Sequence, residues 1–380
     1  MKRYKLIDTV TGWVIFAIAA VVYLLTIEPT ASFWDCPEFI ACAYKLEVGH
    51  PPGAPFFMLV GNLFTQFTSD PTQIAKMVNA MSALMSAFTI LFLFWTITHL
   101  TRKLVLGSNK TELTLGQTIA VMGCGIVGAL VYTFSDTFWF SAVEAEVYAF
   151  SSMLTALVFW LILKWEDNAE KPHAEKWIIL IAYIMGLSIG VHLLNLLCIP
   201  AIVLVYYYKK TENVSWKGGL GALLISFALI LILMYGIIPG FTKIGGWFEL
   251  FFVNTVGLPY NTGLFIYLAL LVVCIVWTLL ESIRDNPHSK RVKTIFLLSL
   301  GMSGILFMGD SVLIWLILIG AAFYLVFRYK KTNIKFINLV TSCLLVILIG
   351  FSAYAIIPIR SSANPPMDEN SPEDVFALAS

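Results

Sequence analysis

The chain has 380 residues, 59% of them hydrophobic and only 12% charged, with a formal net charge of +1. A soluble globule carries roughly 25% charged residues, so the composition excludes a soluble enzyme, a nucleic-acid binder driven by basic charge and a disordered scaffold. Six cysteines without any CxxC spacing exclude a disulfide framework; only Cys36 and Cys42 lie outside apolar stretches, where a loop disulfide has no further support.

A bilayer core requires roughly 20 apolar residues of helix. In chain order, spans are predicted over 10–27, 74–100, 117–135, 148–164, 218–238, 262–281 and 337–357. Two longer tracts, 177–208 and 294–328, exceed one span and break at Gly190-Val191-His192 through Asn195 and at Gly309-Asp310-Ser311. Splitting both gives an all-α polytopic membrane protein of about 11 transmembrane helices. Segment 1–27 opens with Lys2, Arg3 and Lys5 but has no small-residue cleavage site before Glu28-Pro29, and is read as an uncleaved first span.

The apolar run 53–68 has only sixteen residues, and charge decides its placement. If it lies on the outer surface, 20 of the 24 Lys and Arg share one side, and only Lys45, Lys76, Lys243 and Arg360 fall on the other. If it spans, every later loop flips and the bias vanishes. The positive-inside rule therefore places 28–73 outside as the first extracytoplasmic loop, with 53–68 as an interfacial helix. The sequons Asn109-Lys110-Thr111 and Asn213-Val214-Ser215 then face the cytoplasm. Residues 1–357 form the membrane domain, and polar 358–380 reads as an extracytoplasmic linker leading to a domain outside this chain. The outer side also collects 14 of the 23 acids, so carboxylate chemistry is expected there.

The first outer loop holds Trp34-Asp35-Cys36-Pro37-Glu38-Phe39 and, further on, Glu47-Val48-Gly49-His50-Pro51-Pro52-Gly53. Asp35 and Glu38, three residues apart, share a face on a helix or tight turn. A carboxylate at an apolar interface beside Trp34 and Phe39 tends toward a raised pKa and suits a general base; the competing reading is a solvated loop acid. An acid soon after the first span, an amphipathic stretch and then His-Pro-Pro resemble the protein O-mannosyltransferases of the GT-C superfamily of membrane glycosyltransferases. Asp35 matches the family's acid and His50-Pro51-Pro52 its second run, whereas Cys36 follows Asp35 where the family has Glu, and Gly53 replaces Leu. The stretch more closely resembles a bacterial multispan family of formerly unknown function grouped with a eukaryotic transmembrane O-mannosyltransferase.

The second outer loop contains Asp136 and Glu144-Ala145-Glu146-Val147-Tyr148. Helical spacing puts Glu144 and Tyr148 on one face and points Glu146 elsewhere, so Glu144 is the favoured acid, against the alternative of a solvated span end. His192 reads either as a helix–helix hydrogen-bonding residue or as a contact to a lipid phosphate. Arg360 reads either as a snorkelling span end or as a bidentate phosphate partner. No His/Cys/Asp set has zinc spacing, with His99, His173 and His288 isolated, and no Walker or Rossmann glycine motif appears; neither metal nor cofactor is predicted.

The resemblance implies transfer of a hexose, mannose or a relative, from a polyprenyl-phosphate donor to a Ser or Thr hydroxyl of a secreted protein, with inversion. Asp35 would be the base, with Glu38 beside it, Arg360 and His192 at the donor phosphate, and Trp34, His50, Glu144 and Tyr148 lining the substrate. The expected setting is a bacterial inner membrane, with the N-terminus cytoplasmic and the C-terminus and site periplasmic. A transporter or flippase, or a non-catalytic subunit of an envelope complex, are the alternatives. Paired broken helices favour the former, but no internal repeat accompanies them.

Overall fold

The computed structural model describes residues 2–107, 112–329 and 332–379; the sequon at Asn109 lies outside them. Sixteen α-helices appear among the described residues, and the one pairing of extended chain is an isolated parallel bridge between Val48 and Asp368. They are α1 (Lys2–Leu25), α2 (Cys36–Lys45), α3 (Pro55–Thr65), α4 (Ile74–Leu106), α5 (Leu115–Thr133), α6 (Asp136–Ala142), α7 (Val147–Asn168) and α8 (Glu175–Ile189). There follow α9 (Ile199–Lys210), α10 (Trp216–Leu231), α11 (Ile238–Leu250), α12 (Thr262–Ser282), α13 (Ser289–Met302), α14 (Val312–Phe327), α15 (Ile334–Phe351) and α16 (Ile356–Ser361).

Eight helical runs are long and apolar enough to cross a membrane, against the eleven spans expected. The difference lies in α8, α13 and α14, which have 15, 14 and 16 residues. These are pieces of the two broken tracts, and the breaks fall close to where glycine and polar residues interrupt the sequence. Gly190 ends α8, and a 3-10 turn, Leu193–Cys198, leads into α9. The run from Trp216 continues to Thr255, well past the expected end at 238. Residues Ile232–Ile237 widen to a π-helix directly before Pro239. A widened turn accommodates a residue that has no N–H to give the helix ladder.

Hydrogen bonds between elements sort the loops into two ends. At one, Trp95 Nε1 donates to the Asp8 carbonyl, Lys210 Nζ donates to the Ala169 carbonyl, and Asn338 Nδ2 donates to Ser282 Oγ. At the other, the Phe56 N–H donates to the Gly190 carbonyl, and Tyr354 Oη donates to the Ile189 carbonyl. α8 and α15 run side by side in the same direction; a Cβ on Gly186 would sit 2.5 Å from the Ile347 carbonyl oxygen, so glycine sets their separation.

The 28–73 segment starts and finishes at a single end. Asn79 of α4 donates to the carbonyls of Glu28 (2.7 Å) and Thr30 (2.9 Å), pinning the chain that leaves α1. With eleven residues α3 is about 16 Å long, too short to span, and Asn62 ties it to α2 through the Ala43 and Tyr44 carbonyls. Residues 358–379 of the segment read as a linker fold back onto this same end. Its backbone pairs with Val48 at Met367 and Glu369, Ser361 Oγ donates to Asp368 (3.0 Å), Tyr260 Oη donates to Asp374 (2.6 Å), and Val375 is buried.

Candidate active site

One apolar cluster gathers the separate pieces of the acidic end. Phe39, Ile40, Cys42 and Ala43 of α2, Phe57 and Met58 of α3, Val78 and Met81 of α4, Ala145 and Val147, Phe150 and Val191 all pack together. Both sequence-singled loops and the Gly190 break therefore meet at a single place.

On the polar side of that cluster, Asp35 sits at the N-cap of α2 with its side chain more than half exposed, and Glu38 lies in the first turn. Glu38 Oε1 accepts from the His50 N–H (2.6 Å) and lies 2.9 Å from His50 Nδ1, while Oε2 is 3.0 Å from the same nitrogen. The other ring nitrogen, Nε2, faces Asp35 Oδ2 at 4.0 Å. Burial pulls the His50 imidazole down, but the hydrogen bond and charge of Glu38, then Asp35 and Glu369, outweigh it and leave its pKa above the ordinary value. Gly49 makes this closure possible, since a Cβ there would strike Glu38 Oε1. Asp35, Glu38 and His50 each offer a ligand atom within 4.8 Å of one another. Such a set could hold a divalent ion, though Glu38 and His50 already satisfy one another.

The second loop supplies two buried acids. Glu144 Oε2 accepts from Ser32 Oγ (2.6 Å), and Glu146 Oε1 accepts from the buried Cys36 thiol (3.6 Å). Cys36 and Cys42 are both free thiols, so the loop disulfide does not form. Burial, reinforced by the Asp35 charge, raises the Glu146 carboxyl to about 7. The sequence pointed Glu146 away from the site because it assumed helical spacing from Glu144. The structure corrects this: α7 begins only at Val147 and Glu146 is its extended N-cap, so the wheel does not apply. The legible signal was two acids ahead of a span whose start had not been fixed by a cap.

Tyr148 and His192 form a pair with ring centroids 5.5 Å apart. His192 Nδ1 accepts from the Leu194 N–H, which leaves Nε2 as the proton-bearing nitrogen, and burial lowers its pKa. Trp34 adopts φ +61° and is 88% exposed. Arg360 sits against the C-terminal end of α2. Its Nε donates to the Leu46 carbonyl (2.6 Å) and Nη2 to that of Lys45 (3.3 Å), at the far end of α2, about 15 Å along the helix from Asp35. A guanidinium there complements the negative end of the helix dipole.

Residues 35–215 match the family described as the protein O-mannosyl-transferase TMEM260 N-terminal domain. Over that stretch the chain is similar to protein O-mannosyl-transferases. The match takes in Asp35, Glu38, His50, Glu144, Glu146, Tyr148 and His192, and leaves out Arg360. Among curated proteins, the chain is 29% identical over 202 residues to the protein O-mannosyl-transferase TMEM260 of Mus musculus, covering 52% of this chain and 26% of that protein. It is 24% identical over 201 residues to the corresponding tmem260 protein of Dictyostelium discoideum, covering 51% of this chain and 22% of that one. The matched region thus spans about a quarter of these relatives' length. No solved structure matches the chain.

Proposed function

We propose that this protein is a glycosyltransferase that moves mannose or a related hexose from a polyprenyl phosphate to a Ser or Thr hydroxyl of a secreted protein, on the extracytoplasmic face of a bacterial inner membrane. The observation that carries the reading is the arrangement Glu38–His50–Asp35, with Glu38 fixing the imidazole at 2.9 Å and the imidazole facing Asp35 at 4.0 Å. An exposed carboxylate facing an imidazole that is itself fixed is poised to take a proton from an incoming alcohol.

In the transfer, the acceptor oxygen forms a bond to the anomeric carbon as its proton passes to Asp35. The bond from that carbon to the phosphate oxygen breaks, its electron pair leaving with the lipid phosphate, and the configuration inverts. Glu146, which titrates near neutrality beside Asp35, is a second group able to hold a proton there. His192 and Tyr148, whose chain neighbours Val191 and Val147 pack in the same apolar cluster as α2, would present the Nε2–H and the phenol to the departing phosphate. The relatives' name, protein O-mannosyl-transferase, supports the reaction class.

Purified protein in detergent, given polyprenyl-phosphate mannose and a Ser/Thr peptide, is expected to yield mannosylated peptide with the anomeric configuration opposite to the donor's. Transport needs a closed compartment and transfer does not. Absence of product, or product with retained configuration, overturns the proposal.

A further inference from the structure

The opposite end of the bundle holds a polar cavity of about 430 Å³ between the start of α1 and the ends of α4 and α7. It is separated from the acidic end by some 30 Å, the rise of α1 from Lys5 to Leu25. Lys5, Asp8, His99, Arg102, Lys164 and Asp167 line it. The Arg102 guanidinium lies 5.5 Å over the Tyr4 ring, and the Lys164 ammonium 4.7 Å over Trp160. Among the described residues, neither cation, nor Lys5, is within ion-pair distance of a carboxylate. His99, isolated in the sequence, is 3.7 Å from Asp167 through Nδ1, and its side chain is 10% exposed. Its Nε2 and Asp8 Oδ1 are both buried without a hydrogen-bond partner among the described residues.

Snorkelling accounts for lysines that reach water at a span end. It does not account for a cavity of ligand size in which unpaired cations surround an orphaned imidazole nitrogen and carboxylate oxygen. Buried polar groups are ordinarily satisfied, so these two atoms point to a missing polar partner. Three cations, one of them a planar guanidinium fork, match the oxygens of a phosphate. Asp8 and His99 match a hydroxyl or amine on the same molecule.

We infer that this cavity binds a phosphate ester bearing a hydroxyl or amine, held through its phosphate by Arg102, Lys164 and Lys5. The ester comes either from a phospholipid headgroup of the adjoining leaflet or from a soluble metabolite. Full-length protein is tested with phosphatidylglycerol in mixed micelles by native mass spectrometry, and with glycerol 3-phosphate by calorimetry. Binding of the first alone identifies a headgroup site, and binding of the second identifies a soluble ester; either supports the inference. The paired variant Arg102→Gln/Lys164→Gln is expected to weaken binding at least tenfold. Lys5→Gln, at the exposed rim, is expected to weaken it about threefold with melting unchanged, and both losses should be mimicked by raised salt. Failure of both probes to bind wild-type protein, or equal binding by wild type and Lys5→Gln and by the paired variant, overturns it.

Discussion

Burial holds the Glu146 carboxyl at about 7, with the Asp35 charge adding to the effect, and this has a stability consequence whose sign follows from proton linkage. Between pH 4.5 and 7 the folded state binds this proton while the unfolded chain has released it. Stability from this group is therefore full below about pH 4.5 and lost as pH rises through 7. A displacement of that size corresponds to about 3 kcal/mol. Glu146→Gln, which cannot ionise, is expected to gain on wild type by up to that amount between pH 5 and 8, read from denaturant or thermal melts at each pH. A pH-independent difference between the two proteins contradicts the burial argument. Asp35 and Glu38 were legible in the sequence as a pair, and His50 as part of a motif. That His50 bridges them was not, because the Gly49 contact with Glu38 closes a loop of twelve residues by shape rather than by periodicity.

At the scale of the element, α2 is the platform for Asp35 and is capped from a distance. Its C-terminal carbonyls at Lys45 and Leu46 receive Arg360, 314 residues away from Leu46 in sequence. Arg360→Met is expected to cost about 1 kcal/mol of stability, the net worth of a partly exposed charge-assisted cap. The donor KM should stay within twofold of wild type. A tenfold rise in donor KM with unchanged melting would return Arg360 to the donor phosphate. The helices around this platform were readable wherever apolar length and punctuation agree, as at Gly190. They were not readable where a helix runs through Pro239, because proline ordinarily predicts a stop and only the local π geometry permits continuation. The fold-back of 361–379 was equally hidden. Its hold on the bundle is a few long-range contacts at Val48, Tyr260 and Gly245 that leave no local pattern.

For the whole molecule, charge asymmetry predicts an orientation that labelling can read. Introduced cysteines Ser69→Cys and Asn213→Cys lie at exposed positions on segments assigned to opposite faces. In spheroplasts an impermeant thiol reagent is expected to label the first, and to label the second only after permeabilisation; the reverse pattern inverts the topology and removes the site from the extracytoplasmic face.

The account turns on Asp35 as the proton acceptor, and the direct measurement is transfer by Asp35→Asn set beside its affinity for the polyprenyl-phosphate donor. Loss of the base is expected to lower kcat by roughly 10²–10⁴-fold, with melting and donor binding close to wild type, since the side chain is more than half exposed and stands 4.0 Å from the His50 imidazole. Transfer at the wild-type rate by this variant would contradict it.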